Sequence, residues 1–122
     1  MANPFVHVEL TTPDPDTAKS FYGSLFGWTL NDVEMGPIGV YTMICTGEGT
    51  GGGIMKSPRP DVPTAWLPYV LVDDVRSATD TAISLGATIC GDVTEVPNIG
   101  WFSIIQDPTG AAIGLWQPKP KE

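Results

Sequence analysis

GVYTMICTGEGTGGGIM, residues 39–55, lies over GWFSIIQDPTGAAIGLW, residues 100–116, when the chain is shifted by 61 positions. Gly39 then meets Gly100, Tyr41 meets Phe102, Gly49 meets Gly110 and Gly53 meets Gly114. Each stretch reads as two strands joined by a turn, through Thr46–Thr50 in the first copy and Asp107-Pro108-Thr109-Gly110 in the second, where Asp, Pro and Gly suit turn geometry. Upstream the offset is 60, with His7 over Leu67, Glu9 over Tyr69, Asp14 over Asp74, Ala18 over Ala78 and Leu25 over Leu85. Self-similarity of this length marks one supersecondary unit present twice.

The unit is βαβββ. Phe5–Leu10 predicts a strand, and Asp14 caps a helix that has Pro15 at its first position. Ala18, Phe21, Tyr22, Leu25 and Phe26 form that helix's apolar face, and Gly27 ends it. In the second copy Trp66–Val72 is the strand, and Asp74 caps a helix presenting Val75, Ala78, Ala82 and Leu85 before Gly86. One more strand precedes each hairpin, around residues 28–33 and 88–93. The copies span residues 5–55 and 65–117, and KSPRPDVPT, with its three prolines, is a semi-rigid linker over residues 56–64. The expected architecture is α+β: two tandem βαβββ modules in one domain of residues 1–122, forming a curved mixed sheet around a cleft with helices on the outer face.

With 122 residues the chain has material for one core. Six Lys and Arg against 14 Asp and Glu give a net charge of −8, which disfavours nucleic acid and anionic bilayers as partners. No basic segment leads into a long apolar run, so the expectation is a cytoplasmic chain without membrane contact. Cys45 and Cys90 fall in apolar stretches and read as reduced core thiols, although whether they meet in space is open.

Strand alternation puts Val6, Val8 and Leu10 under the first helix and Phe5, His7 and Glu9 on the other face. Likewise Val70, Val72, Ile54 and Leu115 take the helix side, while Met55, Leu67, Tyr69, Leu71 and Trp116 look away from it, with Gly53 and Gly114 leaving room. A face mixing polar groups, aromatics and missing side chains suits a small, partly aromatic ligand. Met55, Tyr69 and Trp116 equally suit a core or a dimer contact. Glu9 is hard to bury without a partner. His7, by its ordinary pKa, suits proton transfer, and Glu9 on the same face could bias it or bind the same molecule.

Other signals are weaker. The run GEGTGGG, residues 47–53, lacks the Lys-Ser/Thr ending and following helix of a phosphate loop, so it reads as a flexible rim. Helix capping accounts for at least one carboxylate of the Asp73-Asp74 pair without a metal. Lys56 and Arg59 suit either an anionic ligand group or plain solvent exposure.

HVELTTPDPDTAKSFYGSLFGW, WLPYVLVDDVRSATDTAISLGA and QDPTGAAIGLWQ together resemble the vicinal oxygen chelate superfamily, which includes glyoxalase I-like isomerases, epimerases, extradiol dioxygenases and bleomycin-resistance-type binding proteins. The resemblance runs from about residue 5 to residue 117 and implies the fold more sharply than the reaction. Metal-using members take a His from the start of each module and a Glu near its last strand. Those positions match His7, Gly53 (or Gly52), Leu67 and Gly114, so one donor of four is present. No metal and no cofactor are therefore expected.

The leading expectation is metal-independent binding of a small hydrophobic or aromatic molecule through His7, Glu9, Met55, Leu67, Tyr69 and Trp116. Its competitor is a metal-free isomerase, epimerase or lyase in which His7 is the acid or base and Glu9 orients substrate. The third reading is a structural dimerisation module. A homodimer is the expected assembly, with the modules paired either within one chain or across the dimer, and Trp28, Trp66, Trp101 and Trp116 suit an apolar subunit contact or a pocket alike.

Overall fold

The computed structural model describes residues 2–36 and 39–120. Its elements run β1 (Phe5–Thr12), α1 (Pro15–Phe26), β2 (Thr29–Glu34), β3 (Val40–Cys45), β4 (Gly52–Lys56), β5 (Ala65–Leu71), α2 (Val75–Ser84), β6 (Thr88–Val96), β7 (Gly100–Gln106) and β8 (Ala112–Pro118). This is βαβββ twice over, an α+β fold. Contacts divide the chain into two compact units, a first of His7–Leu67 and a second of Met1–Val6 with Pro68–Glu122. Among the described residues no helix is long and apolar enough to cross a membrane.

Local chemistry sets both helices. The Asp14 carboxylate accepts the Thr17 amide at 3.1 Å and its hydroxyl at 2.6 Å, and Pro15 supplies a preset φ at the first turn. Gly27 closes α1 in the left-handed region at φ 70°, its amide donating to Gly23 O at 2.9 Å. Asp74 repeats the cap for α2 by accepting the Ser77 amide at 3.1 Å, and Gly86 follows at φ 105°.

In the first unit β2, β3 and β4 are antiparallel neighbours and β4 runs parallel to β1. The second unit repeats this with β6, β7 and β8 antiparallel and β8 parallel to β5. Leu10, Ile44 and Ile54 form the first core, with Ala18, Tyr22, Trp28 and Leu30 packed on it. Val75, Ile105 and Leu115 form the second, with Val72, Ala78 and Ala82 against it. Ile54 is fully buried, a contribution of about 1.5–3 kcal/mol from its side chain.

Each helix is also tied to its sheet by a polar contact at equivalent places. Lys19 Nζ reaches Asp32 at 3.2 Å, and Asp32 accepts the Thr42 hydroxyl at 2.7 Å. In the second unit Thr79 and Ser103 share a hydrogen bond of 2.8 Å in full burial.

Three expectations need correction. Cys45 and Cys90 are free thiols but both are exposed, because Cys45 falls on the side of β3 away from Thr42 and Ile44, and Cys90 sits where β6 slips register against β7. The apolar face of α1 is wider than the core that covers it: Ala18 and Tyr22 pack on the core, whereas Phe21 and Phe26, which touch Tyr22 and Trp28, and Leu25 are more than half exposed. Leu85 likewise is exposed at the end of α2, its backbone closing the helix. Strand β6 runs on past residue 93 to Val96, held by pairs such as Glu95 with Trp101 despite two irregularities in the ladder.

Candidate functional site

The parallel ladder of β1 and β4 places Glu9 beside Gly53, and the antiparallel ladder of β3 and β4 places Tyr41 beside Met55. Side chains at His7, Glu9, Tyr41 and Met55 therefore share the face opposite Leu10, Ile44 and Ile54. On it the Tyr41 hydroxyl donates to Glu9 Oε1 at 2.9 Å, and the Tyr41 phenolic oxygen lies 2.6 Å from His7 Nε2. The His7 and Tyr41 rings are near parallel, 24° apart with centroids at 6.1 Å. Glu9 is buried, at 8% exposure, and the hydrogen bond from Tyr41 gives its carboxylate one of the partners that such burial requires.

Burial pushes the His7 imidazole below its ordinary value of 6.5, since a charged ring loses solvation there. The imidazole is thus neutral at physiological pH, with a buried carboxylate one hydroxyl away. Such an array can accept or donate hydrogen bonds to a ligand, and it has the groups for proton transfer.

Glycines on this face do not leave open space, contrary to expectation. A Cβ at Gly53 would overlap the Tyr41 hydroxyl and ring, so the ring lies directly on the glycine. The second unit also seats a ring on a glycine, but from the strand on the other side: Tyr69 of β5 pairs with Gly114 of β8, and a Cβ at Gly114 would overlap the Tyr69 ring. Tyr69 is buried at 5% exposure and meets Phe102 edge to face, with centroids 6.4 Å apart. Trp116 covers Gly100, where a Cβ would come to 2.8 Å from the indole.

Of the residues expected to form the site, His7, Glu9 and Met55 thus gather on one face of the first unit, to which Leu67 also belongs. Tyr69 and Trp116 belong to the second unit, packed over glycines of their own sheet. Tyr41 was not among the expected residues. Its alignment with Phe102 and its place in the alternation of β3 were visible in the sequence, but its contact with His7 depends on the register of β3, β4 and β1 together. Lys56 is exposed, and Arg59 pairs with Asp61 at 3.1 Å on the surface, which accords with solvent exposure. A groove of about 450 Å³ lies within the second unit beside α2, lined in part by Asn3, Asp73, Ser77 and Ala82. Asp74 also lines it, through its place at the α2 cap.

The four positions that hold metal in metal-using relatives do not fit an ion in this chain. Gly53, Gly114 and Leu67 offer no side-chain donor, the space a carboxylate would need at Gly53 is filled by Tyr41, and His7 Nε2 is engaged by that same residue.

Comparison with known proteins accords with the fold. CFP32 of Mycobacterium tuberculosis, named as a candidate glyoxylase, is 32% identical over 114 residues, covering 93% of this chain and 44% of that protein. The anthracycline biosynthesis protein DnrV of Streptomyces peucetius is 25% identical over 89% of this chain and 45% of its own length. The chain therefore spans about half the length of these relatives. Among solved structures, methylmalonyl-CoA epimerase from Mycobacterium tuberculosis superposes with a TM-score of 0.70 at 17% identity, covering 95% of this chain and 88% of the epimerase. A hypothetical protein, BH1468 of Bacillus halodurans, gives a TM-score of 0.76 at 11% identity over 100% and 99% of the two chains. The sequence profile of one family matches residues 5–115, nearly the whole duplicated unit, and by that match the chain belongs to the Glyoxalase/Bleomycin resistance protein/Dioxygenase superfamily.

Proposed function

We propose that this protein binds a small hydrophobic or aromatic molecule without a metal, on the face carrying His7, Glu9, Tyr41 and Met55. The observation that carries this reading is the Tyr41 ring lying on Gly53, where a metal-using relative would place a carboxylate, with its hydroxyl joining His7 to Glu9. Polar atoms that direct contacts are thereby set among apolar surface, the usual composition of a small-molecule site. A relative named for anthracycline biosynthesis makes a polycyclic aromatic compound the first probe.

Titration of the EDTA-treated protein with an anthracycline, read by calorimetry and by native mass spectrometry, tests this directly. Saturable one-to-one binding is expected, weakened about tenfold in His7→Ala by loss of roughly 1.4 kcal/mol. Absence of binding to that probe, to simple phenols and to planar bicyclic aromatics alike would overturn it. The same spectra report the mass of the assembly and so test the proposed homodimer.

A metal-free isomerase, epimerase or lyase is the second reading, and it is favoured by a specific feature: a neutral, half-buried imidazole in line with a buried carboxylate. Its signature is exchange of a carbon-bound hydrogen α to a carbonyl for solvent deuterium, catalysed by the EDTA-treated protein and abolished in His7→Ala.

A further inference from the structure

The geometry points to Tyr41 as a positioning residue: seated on Gly53 and bonded to Glu9, it fixes His7 in the tautomer whose proton is on Nε2, and so decides which ring nitrogen keeps the lone pair. This rests on the reading above that His7 meets a ligand, but its test does not need one.

A phenol has one proton to give. The Tyr41 hydroxyl donates to Glu9 Oε1 at 2.9 Å, and with Glu9 in its ionised, acceptor-only form the single phenolic proton is committed there. Toward His7 the phenolic oxygen is then an acceptor, and a contact of 2.6 Å with Nε2 requires the proton to reside on that nitrogen. A neutral imidazole carries one N–H, which leaves the lone pair on Nδ1. With Glu9 ionised, the order of donors therefore runs from His7 through Tyr41 to Glu9, set by the carboxylate at its end.

Gly53 is part of this device. Any larger residue would put a Cβ where the Tyr41 hydroxyl and ring lie, and the ring would have to leave. The aligned positions Leu67 for His7, Tyr69 for Glu9 and Phe102 for Tyr41 carry no histidine and no carboxylate, and the ring over Gly114 is Tyr69 of β5. There the glycine seats a ring for packing. In the first unit it seats a ring that orders a proton.

His7 is the one histidine in the chain, so its ring nitrogens can be assigned without ambiguity by ¹⁵N NMR at pH 8, where the imidazole is neutral. The unsubstituted protein is expected to show a slowly exchanging, downfield proton on Nε2. Tyr41→Phe keeps the ring and removes the hydroxyl, and that signal should vanish into exchange with water. Gly53→Ala should have the same effect through displacement of Tyr41. Glu9→Leu frees the phenol to donate to Nε2 and should move the population toward the Nδ1–H tautomer. A proton found on Nδ1 in the unsubstituted protein, or an Nε2 proton that persists in Tyr41→Phe, would overturn the inference. Where Gly53→Ala fails to fold, Tyr41→Phe and Glu9→Leu decide the matter. Loss of ligand binding with the tautomer intact would count against the binding reading and leave this one standing.

Discussion

Burial holds His7 neutral, and the consequence for pH follows from the direction of the shift. Its value is lowered from the ordinary 6.5 by desolvation, so between that value and the lower folded one the unfolded chain binds more protons than the folded chain. This contribution to stability is fully present above the unfolded value and is lost as pH falls from about 6.5 to the folded value. The His7 ring protons should titrate with a midpoint below that of a histidine in a short peptide, and a midpoint at or above it would contradict the burial. At Tyr41 the cost of substitution comes from Glu9: Tyr41→Phe removes a donor from a buried carboxylate, a loss of about 1.5–3 kcal/mol measurable by urea unfolding. The sequence placed His7 and Glu9 on one face because alternation along a single strand is a local property. It did not place Tyr41 with them, since that contact is made across two strand ladders and no single segment encodes it.

At the scale of the element, α1 meets the core through Ala18 and Tyr22, and Phe26 packs on Tyr22 and Trp28 at its solvent edge. Phe21, Leu25 and Phe26 stay largely exposed, and Lys19 with Asp32 and Thr42 supplies a polar tie to the sheet. The Asp32 carboxyl is held below its ordinary value, first by the Thr42 hydroxyl and then by Lys19. A carboxyl so lowered stabilises the fold above its unfolded value and ceases to do so as pH falls through the folded one. Unfolding free energy measured at pH 7 and near pH 3 should therefore differ less in Asp32→Asn than in the unsubstituted protein; an equal difference in both would show that the tie is screened out by solvent. The start of α1 was legible because Asp14 and Pro15 act on the chain next to them, and its end because a glycine takes the left-handed φ of 70° at Gly27 without steric cost. How much of its apolar face would be covered was not, because a period of three to four residues reports which side chains line up and says nothing of the breadth of what they meet. The continuation of β6 to Val96 escaped for a related reason: Thr94 and Glu95 gain their pairing from Phe102 and Trp101, while their own sequence shows no alternation.

For the whole molecule the duplication was the most legible feature, since two copies checked against each other carry more information than either read alone. What it could not show is that the glycines it aligned, Gly53 and Gly114, are filled by rings rather than open, a fact that resides in the rotamers of Tyr41 and Tyr69. The aligned positions differ in polarity, His7, Glu9 and Tyr41 against Leu67, Tyr69 and Phe102, and in the strand that supplies the ring, β3 for Gly53 and β5 for Gly114. A buried polar network that is replaced whole by apolar groups of matching shape often leaves a fold as stable or more so, whereas removing one member strands the rest. The triple variant His7→Leu, Glu9→Tyr, Tyr41→Phe copies the second unit's solution into the first. It should unfold at a higher urea concentration than Tyr41→Phe alone, with the three changes far from additive, while the binding attributed to this face disappears. Were the triple variant instead less stable than each of its single substitutions, the two units would not be interchangeable in packing, and the polar members would have to be counted as structural supports of the first unit rather than as groups kept for a ligand.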